Sequence, residues 1–125
     1  VSGATLDSGA LIAFERGSPR MLALVERSVD HGIALSVPAG VVAQTWRGGA
    51  RQARLSRLLH GPSTEIVPLD GLTAQAAGVL CGRAGTADVV DASVVVCARE
   101  RGQRVVSGDP DDLLAIDPTL DVVAP

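Results

Sequence analysis

Apolar residues in this chain occur either as short unbroken runs or as longer stretches with helical spacing. "GATLD" (residues 3–7) is a short apolar strand ending in Asp7, and "SGALIAFERG" opens a helix at Ser8 that stops near Gly17. In "RMLALVERSVDHG" apolar residues at 21, 22, 24, 25 and 29 make a helical stripe, which Gly32 ends. "IALSV" (33–37) predicts a second strand, and Pro38 suits the first turn of a helix reaching about Trp46. Gly48 and Gly49 break or bend that region, after which "ARQARLSRLLH" resumes a helix up to Gly61. "TEIVPL" predicts a third strand, and "GLTAQAAGVLCGRAG" a helix with a glycine-rich turn. A helix from about 88 to 101 follows, then a fourth strand in "QRVVSGD", a short helix in "PDDLLAI" and a last strand in "LDVVA".

Five short strands, each apolar along its length and separated by helices, indicate a parallel sheet buried on both faces. Right-handed crossovers turn that alternation into a three-layer α/β sandwich. At 125 residues the chain fits one domain, 1–125, and no repeat or linker suggests a second.

Composition narrows the chemistry. No apolar run approaches the roughly 18 to 20 residues of a membrane span, and the start of the chain lacks a signal-peptide pattern. The chain therefore reads as soluble and cytoplasmic. Cys81 and Cys97 are isolated, without metal-ligand spacing, and are expected as buried, reduced thiols. All eleven basic residues are arginine, so lysine-dependent chemistries such as the P-loop and Schiff-base catalysis are excluded. The same absence counts against phosphatases of other α/β families. A net charge of −3 argues against nucleic-acid binding through the overall field, which leaves local charge to decide.

The acids carry the signal. In open α/β sheets, sites form outside the carboxyl ends of the strands. Asp7 ends the first strand, Asp109 lies just past the fourth, and Asp88 and Asp91 open the helix feeding the fourth. All four meet at one rim if the first and fourth strands are neighbours. Two charges about 4 Å apart repel by roughly 4 kcal/mol at an effective dielectric of 20. Acids so placed bind a cation or hold raised pKa values, and oxygen ligands without His or Cys suit Mg²⁺ or Mn²⁺. Such a site supports metal-assisted displacement at phosphorus. The plainer reading is capping: Asp7 for the helix at 8, and Asp88 with Asp91 as an N-cap and an acid in the first turn. Both readings stand for Asp88.

"LDSGALIAFERG", "VVDASVVVCARERG" and "VVSGDPDDL" together resemble the PIN-domain ribonucleases, and within them the VapC toxins of bacterial toxin–antitoxin pairs. The resemblance covers nearly the whole chain. It implies a five-stranded parallel sheet in the order 3-2-1-4-5 and Mg²⁺- or Mn²⁺-dependent cleavage of RNA, with structured tRNA or rRNA as the expected substrate. It also implies a VapB-type antitoxin that blocks the acidic pocket, and a homodimer. By position, Asp7, Asp91 and Asp109 match the family's metal-binding acids, and Ser107 would orient the Asp109 carboxylate. Asp111 or Asp112 matches an outer acid linked to the metal through water. One position departs: the family's second acid, usually Glu, falls at Gln44. Asp88 then supplies the missing charge from across the site, or the chain is a cleavage-deficient module that binds RNA or a partner.

Arg47, Arg51, Arg54 and Arg57, spaced by four, three and three, would form one stripe in a continuous helix. They read either as a solvated face or as contacts to RNA phosphates. Trp46 is expected to pack rather than to stack a base, because Phe14 is the only other aromatic residue.

Overall fold

The computed structural model describes residues 3–125. Five strands form one sheet: β1 (Ala4–Leu6), β2 (Leu35–Pro38), β3 (Thr64–Val67), β4 (Arg104–Val106) and β5 (Val122–Val123). Every pairing is parallel and the order is β3-β2-β1-β4-β5. β1 is central, pairing Ala4 with both Leu35 and Arg104, and all three of its residues are buried. An unbroken apolar run suits that position, since it faces helices on both sides.

The helices are α1 (Ser8–Glu15), α2 (Pro19–Asp30), α3 (Ala39–Thr45), α4 (Ala53–Leu59), α5 (Gly71–Ala84), α6 (Val89–Arg101) and α7 (Pro110–Ile116). Chain direction assigns them to faces. The crossovers β1→β2→β3 move one way along the sheet, and β3→β4→β5 move back. With right-handed connections, α1 to α4 cover one face and α5 to α7 the other. The main core, which includes Leu6, Leu11, Met21, Leu35, Val37, Leu55, Val94, Val95 and Val105, lies about the sheet.

α6 is the helix most deeply set in the fold. Ala92 to Ala98 are all buried, which is why its sequence lacks a polar stripe: a helix packed all round has no face to reserve for water. It packs on β1, β2 and β4 and against α5. Cys97 is buried within it and Cys81 is half-buried on α5, both as free thiols.

The elements fall where the hydrophobic pattern puts them, with local differences at the ends. Pro38 closes β2 and caps α3 instead of sitting inside the helix. The chain between α3 and α4 is not continuous helix. After Thr45 it is extended at Trp46, runs through Gly48 and Gly49 with φ of 79° and 94°, and makes one 3₁₀ turn at Ala50–Gln52. Positive φ at consecutive residues suits glycine alone, and it ends the helical path. Trp46, expected to pack, retains 37% exposure. Gly3 is required for a different reason: a Cβ there would lie 1.7 Å from the Ala34 carbonyl oxygen, across the entry of β1 and β2.

Candidate active site at the carboxyl edge of the sheet

Among the helices that begin at the carboxyl edge, α1, α6 and α7 start at the aspartates that the sequence singled out. Asp7 is the N-cap of α1, and its Oδ1 accepts the Ala10 amide at 3.0 Å. Asp88 is the N-cap of α6, accepting the Asp91 amide at 2.9 Å. Asp109 is the N-cap residue of α7, with Pro110 as its first helical residue and no side-chain cap bond. Two of the three are followed by a second acid three residues on, Asp91 and Asp112, in the first helical turn. β1 and β4 are neighbours, so the α1 and α7 starts lie side by side.

The loops that aim these acids are tightly specified. α5 ends at Gly85 in the left-handed region, and the Thr86 hydroxyl accepts the Asp88 amide at 3.1 Å. Ser107, buried just after β4, accepts the Asp109 amide at 2.9 Å. Its side chain also stands by the Asp7 carboxylate and favours the ionised form. Ser107 therefore ties the first acid to the turn carrying the third. Gly9 allows that approach, since a Cβ there would stand 3.1 Å from the Gly108 nitrogen.

Capping alone lowers an aspartate's pKa, because amide donors favour the carboxylate. Asp70, the exposed N-cap of α5, behaves so: hydrogen bonds from Thr73 hold it below the usual carboxylate value. The acids at the carboxyl edge go the other way. Burial raises Asp7 despite bonds from Ser107, Ala10 and Gly9. Asp91 is pushed up to about 6, first by burial, then by the charges of Asp88 and Asp112, the hydrogen bond with Asp88, and the charge of Asp7. Asp109 is raised by its hydrogen bond with Asp112, by the charge of Asp112, and by further contributions including Asp111 and Asp7. No cation is among the leading causes that shift the three, which besides burial and hydrogen bonds are the charges of other aspartates. Among the described residues, no group of three or more acidic, His or Cys side chains forms a ready-made metal cage. The acids are electrostatic neighbours that repel one another.

The sequence from residue 4 to 117 matches the PIN-domain family model. The chain belongs to the PIN-domain family. PIN domains are generally nucleases, and the solved structures this one resembles come from toxin–antitoxin pairs. The likeness to VapBC2 from Rickettsia felis, bound to a DNA fragment from its promoter, has a TM-score of 0.69 at 13% identity, covering 97% of each chain. For FitAB bound to the IR36 DNA fragment the TM-score is 0.66 at 17% identity, covering 98% of this chain and 94% of that one. For FitAcB from Neisseria gonorrhoeae it is 0.64 at 17% identity, covering 95% of each. No curated protein matches the sequence.

Within this PIN domain, Gln44 lies exposed on α3 and accepts a hydrogen bond from the Ser8 hydroxyl. The neutral amide thus stands one residue along from Asp7. Of the two outer acids that the sequence left open, Asp112 acts on both Asp91 and Asp109, whereas Asp111 acts on Asp109 alone. The signal for Asp112 was present in the sequence: 88/91 and 109/112 repeat one spacing, an N-cap aspartate with a second aspartate in the first turn. Gly9 and Gly108 carried no comparable signal, because their close approach joins residues far apart in the chain.

The arginine stripe is corrected. Arg47 lies in the loop after α3, and its guanidinium donates to the carbonyls of Ala43 at 3.3 Å and Trp46 at 2.8 Å. Arg51 is in the 3₁₀ turn, and only Arg54 and Arg57 share α4. Arg54 turns to the Glu15 carbonyl at 3.4 Å. The expected single ridge is broken where Gly48 and Gly49 interrupt the helix.

Proposed function

We propose that this PIN domain is the nuclease toxin of a VapBC-type pair, an endoribonuclease that hydrolyses RNA phosphodiester bonds with Mg²⁺ or Mn²⁺. One observation carries the reading: Asp7, Asp91 and Asp109 are all raised from the ordinary carboxylate value at one sheet edge, while the ordinary cap Asp70 is lowered. A cluster with that much uncompensated negative charge is built for a positive ligand. The donors are all hard oxygens, which fits Mg²⁺ or Mn²⁺ and not zinc.

Asp7, Asp91 and Asp109 would hold the ion. When bound, it would polarise the phosphodiester and acidify a water. Ser107 accepts the Asp109 amide and favours the ionised Asp7, so one side chain serves two of these acids. Asp112, whose charge acts on Asp91 and Asp109, is the outer acid, and Asp111 acts on Asp109. Asp88 supplies the charge that Gln44 lacks, through a carboxylate whose Oδ1 also caps α6. Arg51 and Arg57, exposed and without ion pairs among the described residues, are the proposed contacts to RNA phosphates, together with Arg47 and Arg54. Structured RNA such as tRNA or rRNA is the proposed substrate.

The PIN-fold structures named above include complexes with DNA, described as toxin–antitoxin pairs. A VapB-type antitoxin covering the carboxyl edge is the corresponding partner here, with the toxin as a homodimer. No helix among the described residues is long and apolar enough to cross a membrane, in keeping with a cytoplasmic toxin.

A second reading rests on Gln44: with an amide at that place, the chain binds RNA or a partner without cutting. Incubating the purified protein with structured RNA in Mg²⁺, in Mn²⁺ or in EDTA separates the two. Cleavage that needs the ion and disappears in Asp7→Asn and Asp91→Asn supports the nuclease. Cleavage that persists in EDTA overturns the metal mechanism, and ion-independent binding without cleavage supports the second reading.

A further inference from the structure

A cavity of about 1010 Å³ opens at the opposite edge of the sheet, between α2, the amino-terminal ends of β1 and β4, and the loop leading into β5. Topology explains it. The helices on the α1–α4 face connect β1, β2 and β3, so no crossover covers β4 and β5 there. Leu24, Ile33, Leu120 and Val123 line it with apolar surface, and four arginines, Arg20, Arg27, Arg99 and Arg104, line it with charge.

Those arginines are not equivalent. Arg99 reaches Asp117 at 3.7 Å and Arg104 reaches Asp121 at 3.6 Å, both loose pairs. Arg20 and Arg27 form no ion pair among the described residues. Seven positions apart on α2, they stand two turns apart on one helix face, about 10 Å along the axis. Four arginines against Asp117 and Asp121 leave this lining two charges positive, in a chain whose net charge is −3.

We propose that this cavity is a second ligand site, separate from the acidic edge, and that it takes a nucleoside phosphate. Two uncommitted guanidiniums match the near-dianionic charge of a phosphate monoester, where a carboxylate offers one charge. The volume lies at the upper end of the range for organic ligands, well beyond an inorganic anion, and the apolar lining accommodates a base and ribose. The same chemistry comes from a free mononucleotide or from the phosphorylated end of an RNA.

The test is calorimetric titration of the full chain in EDTA, which removes any contribution of a divalent ion at the acidic edge. The probes are AMP, adenosine and inorganic phosphate, followed by a short RNA with and without a 5′-phosphate. The expected result is saturable AMP binding, with adenosine and inorganic phosphate each weaker by about tenfold or more. Arg20→Ala/Arg27→Ala should weaken AMP by a similar factor. Both side chains are exposed, and an unchanged unfolding temperature confirms an intact fold. Asp91→Asn should bind AMP as the parent does, which keeps this result independent of the nuclease reading. A preference for the 5′-phosphorylated RNA over AMP names RNA ends as the source, and the reverse names free nucleotide. Absence of saturable AMP binding, or equal binding by the double variant, overturns the proposal.

Discussion

The Asp88 carboxylate accepts the backbone amide of Asp91 at 2.9 Å and at the same time raises the pKa of the Asp91 side chain. One residue thus stabilises the start of α6 and makes that helix's own first-turn acid harder to ionise. The two effects have different chemical requirements: a cap needs an acceptor, and the electrostatic effect needs a charge.

Asp88→Ser separates them. Serine retains the cap, so unfolding free energy should stay within about 0.5 kcal/mol of the parent. Without the charge, Mg²⁺ affinity is expected to fall by roughly 10-fold, and cleavage with it. Parent-like cleavage by the serine variant would reduce Asp88 to a cap. Gln44→Glu should move affinity in the opposite direction.

Asp91 imposes a pH dependence on stability. In the unfolded chain its carboxyl titrates near the ordinary 3.8, and in the fold at about 6. Between those values the folded state binds more protons, so stability falls as pH rises through this window and the full cost is present above 6. Allowing for solvent screening of a half-buried group, that cost is about 1 kcal/mol. Asp91→Asn should therefore stabilise the ion-free protein at pH 7 by a similar amount, with the difference vanishing near pH 4. Thermal unfolding in EDTA at several pH values checks this, and added Mg²⁺ should raise the parent's melting temperature more than the variant's.

Gly9→Ala should dissociate activity from stability. Alanine favours helix α1 by up to about 1 kcal/mol, which offsets the crowding of its Cβ at 3.1 Å from the Gly108 nitrogen. The Asp109 turn must then shift by a few tenths of an ångström relative to Asp7, and cleavage should fall by about 10-fold or more. A melting temperature close to the parent's with reduced kcat is the expected pattern.

Gln52 holds the loop between α3 and α4. Its Oε1 accepts the amides of Arg47 at 2.7 Å and Gly48 at 2.9 Å. Its Nε2 donates to Glu15 at 2.9 Å and to the Thr45 carbonyl at 2.8 Å. Gln52→Ala leaves several partly buried groups unpaired, at an expected cost of about 2–4 kcal/mol in urea unfolding. Glutamate at this position repels Glu15 and lacks the amide donor, so it should not rescue the loss.

Much of this protein could be derived from residue order alone. Unbroken apolar runs such as "IALSV" and the apolar body of α6 determined a sheet covered on both faces, because such runs have no side to present to water. The aspartates at strand ends and helix starts were legible for the same reason: cap positions and strand termini are local properties. Tertiary structure decided what those acids do to one another. Asp70 and Asp7 are both N-caps with an acceptor bond three residues on, yet one is lowered and the other raised, because only Asp7 is buried. Likewise the arginine spacing read as a stripe only while the helix was assumed continuous, and two glycines of positive φ ended it. Periodicity is written by neighbours in the chain, whereas a site's charge balance is written by neighbours in space.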